Sequence, residues 1–192
     1  MKAVQNQAPT IYWARVRNGM LVVWDGKQEI EFRRLTGKIV GVVYKEDEYA
    51  HRTYELALLH VLYQDERWIF SMRVDSQYFR TLCNYLHTCK DEGIHMDELI
   101  FCPSYSEKDG KKWTAIYIQQ KNERWVRSWK HELPYLPSVS ESNGKKIYDW
   151  TVVNNYYKNW LLNEYGTGWQ SIHNIVPDSV EPPPDDPDDL PF

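Results

Sequence analysis

Two dipeptides, Asn18-Gly19 and Asp25-Gly26, limit the opening of this chain more than anything else in it. Both lie in the stretch "YWARVRNGMLVVWDGKQEIEF", between runs rich in β-branched and aromatic residues. Asn-Gly and Asp-Gly tolerate positive φ at both central turn positions, the condition for a tight hairpin. The pattern predicts three short strands, near 11–17, 20–24 and 28–35, after a loose, polar start over residues 1–10. In "LTGKIVGVVYKED", Gly41 falls inside a strand pattern and signals a bend or bulge. "RTYELALLHVLYQ" and "RWIFSMRV" read as two more strands, joined at a hairpin tip of Gln64, Asp65 and Glu66. The acids of "YKEDEYAH" read as a solvated loop.

A helix follows. "DSQYFRTLCNYLHTCKDEG" places Tyr78, Phe79, Leu82, Cys83, Leu86 and Cys89 at three- and four-residue steps, with Asp75 or Ser76 as its cap and Gly93 as its stop. Strands are expected near 97–102 and 112–119, joined by a loop "PSYSEKDGK", and a last strand at "ERWVRSWK". A bent strand, two strands, a helix and two strands is the order of a five-stranded antiparallel barrel of the OB-fold class. The expectation is therefore a mainly β, OB-fold-like domain over 11–133, with the N-terminal hairpins as an extension. Another small antiparallel α+β sheet is the alternative. Residues 134–147 read as a loop. A C-terminal helix is expected from Tyr148 to about Glu164, within 148–166, with Asp149 as cap and Gly166 as stop. Its stripe of Trp150, Val153, Tyr157, Trp160 and Leu161 is suited to packing on the barrel; a partner helix or an oligomer contact is the other use of such a stripe.

Composition matters at this point. Aromatic residues make up 15% of the chain, with nine Trp and fourteen Tyr against five Phe. Trp and Tyr carry a polar handle and suit half-wet surfaces, so some should face a ligand. Strand parity says which. Lys111, Trp113 and Tyr117 point away from Ile116 and Ile118, while Trp125, Arg127 and Trp129 point away from Val126. A face reading Trp-Arg-Trp suits bases stacked on rings with guanidinium groups on phosphates. Covering the far side of the barrel, or meeting the C-terminal helix, is the structural use of the same rings. Arg67 and Arg73 share a parity opposite to Trp68, Phe70 and Met72, and would extend the basic track. Arg15 and Arg17, beside Trp13, form a second arm.

Charge is uneven. The net charge is −4, but Asp178, Glu181, Asp185, Asp186, Asp188 and Asp189 carry −6 with no Lys or Arg after Pro177, which leaves the first 176 residues at +2. Such asymmetry suggests an acidic tail on a body that meets a polyanion. The final eight residues, Asp185, Asp186, Pro187, Asp188, Asp189, Leu190, Pro191 and Phe192, resemble the acidic tip of bacterial single-stranded DNA-binding proteins. What the resemblance implies is a disordered tail over 177–192 whose Phe192 ring and terminal carboxylate dock on replication, recombination or repair proteins. The rest of the chain lacks the family's long Gly- and Gln-rich linker and carries extra elements, so a divergent, bacteriophage-encoded member fits, and no DNA-contact residue is carried over. Carboxylate capture at a C-terminus is a known recognition mode, and proline lowers the entropy lost on docking. The tail is also expected to compete with DNA for the basic body.

Other chemistries find little support. Cys83, His87, Cys89, His95 and Cys102 have neither CxxC nor HxxxH spacing, so no metal or other cofactor is expected. No Gly-rich phosphate loop or nucleophile elbow is present, and the reading is non-enzymatic. Reduced cysteines and the lack of an 18-residue apolar run fit a cytoplasmic protein, with no membrane partner. The sequence thus points to a sequence-tolerant binder of single-stranded DNA. The rival is a protein-only adaptor, or DNA mimic, that uses the acidic tail alone.

Overall fold

A computed structural model describes residues 11–24, 27–64, 66–128 and 135–169. The chain begins as the Asn-Gly signal requires. Strands β1 (Ile11–Arg17) and β2 (Met20–Trp24) pair antiparallel around Asn18 and Gly19, whose φ values are 48° and 76°. Strand β3 (Glu29–Phe32) completes the meander. Gly19 is required for a second reason. A Cβ there would lie 2.6 Å from the backbone nitrogen of Tyr105, and its N–H donates to the Tyr78 hydroxyl at 3.1 Å. The hairpin tip is thereby held against distant parts of the chain.

Next come the long strand β4 (Leu35–Tyr49), β5 (Arg52–Tyr63) and β6 (Glu66–Arg73). Helix α1 (Gln77–Asp91) precedes β7 (Leu99–Lys108) and β8 (Lys111–Gln119). The eight strands form one curled, open sheet in the order β3-β2-β1-β6-β5-β4-β7-β8. The protein is mainly β, as expected, but the sheet has eight strands where a five-stranded closed barrel was expected. The N-terminal meander is the cause: β1 adds to β6 in parallel, Ile11 to Arg67 and Arg15 to Ser71, and occupies the β6 edge.

Parity along β4 shows how the sheet bends. Leu35 and Ile39 are buried at odd positions, whereas beyond Gly41 the core is met at even ones, by buried Val42 and half-buried Tyr44. The register with β5 shifts between Ile39 and Gly41, so a bulge exchanges the faces where the glycine signal placed it. Gly37 is the last β4 residue paired with β7, and a Cβ there would sit 2.5 Å from Val61 and 2.6 Å from the Leu62 carbonyl. No larger residue fits that approach.

The core lies on one face of this sheet, under both helices. Phe70, Leu59, Phe101, Ile116 and Ile118 meet Phe79, Leu82 and Leu86 of α1. Ser76 caps α1 by accepting from the Phe79 N–H at 3.2 Å. The same helix covers the β8 edge. Thr114 N–H donates to Gln77 Oε1 at 3.1 Å, and Ile116 N–H donates to Thr81 Oγ1 at 3.0 Å. Further along, Val126 N–H donates to the Ile118 carbonyl at 2.8 Å. Among its described residues, the segment expected as a last strand makes only an isolated bridge, Gln119 to Trp125, and buries one side chain, Val126.

Helix α2 (Thr151–Trp169) is capped by Asp149, whose Oδ1 accepts from the Thr151 N–H at 2.9 Å. Val153, Tyr157 and Leu161 are buried in the core, and Trp150 and Trp160 pack against it, so the expected stripe serves packing. Tyr44 donates to the Lys158 carbonyl at 3.0 Å, and Lys158 pairs with Glu55. The helix continues through Gly166 instead of stopping there. No described helix is long and apolar enough to cross a membrane.

Three expected loops are corrected. "YKEDEYAH" is a hairpin whose turn, Ala50 and His51, has φ of 49° and 63° with neither Asn nor Gly. "PSYSEKDGK" is mostly strand, and turns at Asp109 and Gly110. Residues 134–147 contain β9 (Ser138–Ser142), which pairs with β10 (Lys145–Asp149) through Asn143 and Gly144. The Asn-Gly signal was present there, but serines and lysines hide the strand pattern.

His87 lies between the two helices, 4% exposed, with its ring stacked on Trp160 at 3.9 Å. Burial pushes its pKa down to about 4, although the Asp91 and Glu164 carboxylates pull the other way. Cys83, Cys89 and Cys102 are buried free thiols, and no metal-binding cluster occurs among the described residues.

Two outcomes follow from these local structures. Replacing Ala50→Asn together with His51→Gly should stabilise the protein by about 1 kcal/mol, because left-handed backbone is costly for Ala and His; an unchanged thermal midpoint would contradict the turn geometry. His87 binds its proton less readily folded than unfolded, so its contribution is whole above pH 6.5 and is lost as pH falls toward 4. At about 1.4 kcal/mol per unit of depression the loss is on the order of 3 kcal/mol. Urea titrations of the wild type and His87→Phe across this window should diverge, the variant showing the flatter profile.

Candidate nucleic-acid interface

β7 and β8 present a second face, away from the core. Tyr117 pairs with Cys102 and Trp113 with Ser106, so each large ring on this face of β8 meets a small side chain on β7, with Ala115 opposite Ser104 between them. This difference in size opens an exposed cleft of about 810 Å³. Cys102, Pro103 and Ser104 line one side; Tyr85, Tyr117, Trp125 and Arg127 line the other parts.

The rings form a connected group. Tyr85 reaches over the β8 edge from α1, and its ring lies 5.6 Å from that of Tyr117. Tyr117 in turn meets Trp125 edge-on at 6.2 Å and 81°. Tyr117 is 39% exposed and Trp125 is 55% exposed, values high for large rings and consistent with open π-faces. The anchor of Val126 explains the Trp125 position: burying one residue forces its neighbours outward. Arg127 is exposed and has no ion-pair partner among the described residues. Arg34, just before β4, is close enough to draw the Cys102 thiol pKa downward, although burial has the larger effect and raises it. Burial, and then Tyr117, raises the Tyr85 phenol. These thiol and phenol groups are therefore neutral at neutral pH.

Lys111 and Trp113 continue the same face toward the hairpin end, with Trp113 48% exposed. Tyr117, Trp125 and Arg127 thus line the cleft, and Lys111 and Trp113 lie on the same side of β8 as Tyr117. Trp129 lies outside the described residues, as does the tail from Asp185 to Phe192.

Arg67 and Arg73 do not join this group. Arg73 is committed to Asp75 through Nε–Oδ1 and Nη2–Oδ2 bonds of 2.9 and 2.6 Å, and lies 5.0 Å from the Tyr54 ring centroid. Arg67 is only 5% exposed, and burial lowers its pKa. Its place on β6 explains this: it stands between Ile11 and Leu62 in the middle of the sheet. In the second arm, Arg15 and Arg17 pair with Glu29 at 2.5 and 2.8 Å, and the Arg17 guanidinium leads in holding that carboxyl below its usual range. That arm is largely self-neutralised.

Sequence parity missed Tyr85 and Arg34. Tyr85 belongs to a helix read for its apolar stripe, yet Tyr78, which that stripe includes, also begins a second three- and four-residue spacing through Thr81 and Tyr85. That second stripe was the available signal. Arg34 gave none. Comparison with protein-family models, curated proteins and solved structures produced no match to this chain.

Proposed function

We propose that the protein is a non-enzymatic, sequence-tolerant binder of single-stranded DNA. The observation that carries this reading is the Tyr85–Tyr117–Trp125 ring group, set around an open cleft beside Arg127, which has no ion-pair partner among the described residues. Every base has a π-face, so rings accept any sequence, and each stacked base contributes about 1–3 kcal/mol. The cations at the rim meet phosphates without reading bases. The volume of about 810 Å³ lies within the usual range for ligand sites.

Connectivity supports the same reading. The order β4, β5, β6, α1, β7, β8, with β4 pairing both β5 and β7, is OB-like. The departure is at closure, where β1 rather than β8 borders β6. The tail supplies the other half of the function. Its likeness to the tips of single-stranded DNA-binding proteins supports a role in bringing replication, recombination or repair proteins to bound DNA. Its six acids would also compete with phosphates for the body, an effect that salt weakens.

Oligo-dT should quench the tryptophan fluorescence. Trp125→Ala and Tyr117→Ala should each weaken affinity by about 1–3 kcal/mol. Loss of neither quenching nor affinity in the double variant would reject the cleft; no binding by the intact protein at any salt would favour the protein-only adaptor. Removal of residues 185–192 should raise oligo-dT affinity at low salt and leave it unchanged at high salt. Equal affinities at low salt would reject competition by the tail.

A further inference from the structure

The hairpin of β9 and β10 is anomalous. All its residues from Ser138 to Asp149 are exposed, and among the described residues β9 and β10 pair only with each other. Val139, Ile147 and Tyr148 are each more than half exposed. An isolated two-stranded hairpin is marginal in water, and a third strand is normally needed. Exposed edges of this kind invite another strand.

We propose that β10 pairs antiparallel with β10 of a second copy of this chain, in the register that places Ile147 opposite Ile147. Backbone geometry and charge select this occupant independently. The two-residue turn at Asn143 and Gly144 makes Ser142–Lys145 the hydrogen-bonded closing pair. Alternation then gives Ser140–Ile147 inward bonds, and turns the N–H and C=O groups of Lys146 and Tyr148 outward. In the Ile147-centred register, Lys146 of one copy faces Tyr148 of the second copy, so both outward-facing residues find hydrogen-bonding partners.

The side chains obey the same symmetry. β10 reads Lys145, Lys146, Ile147, Tyr148, Asp149. Lys145 then stands opposite Asp149 of the second copy, and the two-fold axis repeats the pair. Lys145 and Lys146 have no ion-pair partner among the described residues. Asp149 uses Oδ1 to cap α2, which leaves its Oδ2 outside that task. Shifting the centre to Lys146 would oppose lysine to lysine; shifting it to Tyr148 would leave Lys145 without an acid. Opposite charges stabilise cross-strand pairs and like charges oppose them. The result is a four-stranded sheet in which Val139 and Tyr148 of both copies share one face.

The full chain, without nucleic acid, should sediment at twice its 23.0 kDa mass. Lys145→Glu should weaken self-association about tenfold, by placing acid against acid. Tyr148→Pro should also weaken it, since it removes an outward N–H and spares the hairpin's own bonds. A positive measurement protects against misfolded variants. The native cysteines are buried, so Ile147→Cys adds one exposed thiol at a non-hydrogen-bonded pair, where the Cα spacing suits a disulfide. Mild oxidation should link this variant into dimers and leave Glu141→Cys, on the opposite edge, unlinked. A monomer at every concentration, a dimer indifferent to both Lys145→Glu and Tyr148→Pro, or equal linking at Glu141 and Ile147 would overturn the proposal. Because no oligonucleotide is present, these outcomes do not depend on the cleft.

Discussion

Three residue pairs, Leu35–Phe101, Thr36–Ile100 and Gly37–Leu99, join β4 to β7 and thereby connect the two halves of the sheet. The rest of β4 belongs to β5. This narrow join ends at Gly37, where a Cβ would clash with Val61 and Leu62. The bulge just beyond it exchanges the faces of β4, so both halves direct their apolar residues to one core. Beyond this join β7 sets Cys102, buried but outside the main core, opposite Tyr117, and Ser104 opposite Ala115. Arg34, the residue before the join, comes near Cys102 for the same reason.

The candidate cleft depends equally on how the β8 edge is closed. Ile116 is fully buried, so its N–H needs a partner, and the Thr81 hydroxyl provides one. That contact fixes the rotation of α1, and the rotation carries Tyr85 to the ring of Tyr117. Beyond the helix, Val126 closes the edge and exposes Trp125 and Arg127. One requirement, satisfaction of β8 backbone groups, thus positions rings from three separate stretches of chain. The other end of the sheet is treated differently: β3 is short and carries Glu29 and Glu31, which blunt it.

Much of this was legible because local chemistry and tertiary context agree. Asn18-Gly19, the α1 stripe, the Ser76 cap, the Asp149 cap and the Gly41 bend all act over a few residues. The failures share a different cause. Ala50 and His51 adopt left-handed turn geometry only because long flanking strands impose it, so no local signal marked the turn. The β1–β6 pairing joins residues more than fifty positions apart, and strand patterns carry no record of a partner. Arg67 was read correctly by parity, but parity gives a face and not the depth at which that face is buried.

The aromatic excess, finally, separates into two kinds of ring by how many faces each has covered. Trp68 is stacked on Tyr12 at 4.6 Å and touched edgewise by Phe32, and Trp160 is stacked on His87. Such rings fill space between elements, and their partners remove the surface a base would need. In the cleft the contacts are tilted or edge-on: Tyr85 to Tyr117 at 54°, Tyr117 to Trp125 at 81°. An edge contact fixes a ring's direction while leaving a π-face open. The rings therefore hold one another in place at little cost to the surface they offer. Pre-fixed rings lose little side-chain entropy on binding, which is what a site relying on stacking requires when its charges are few.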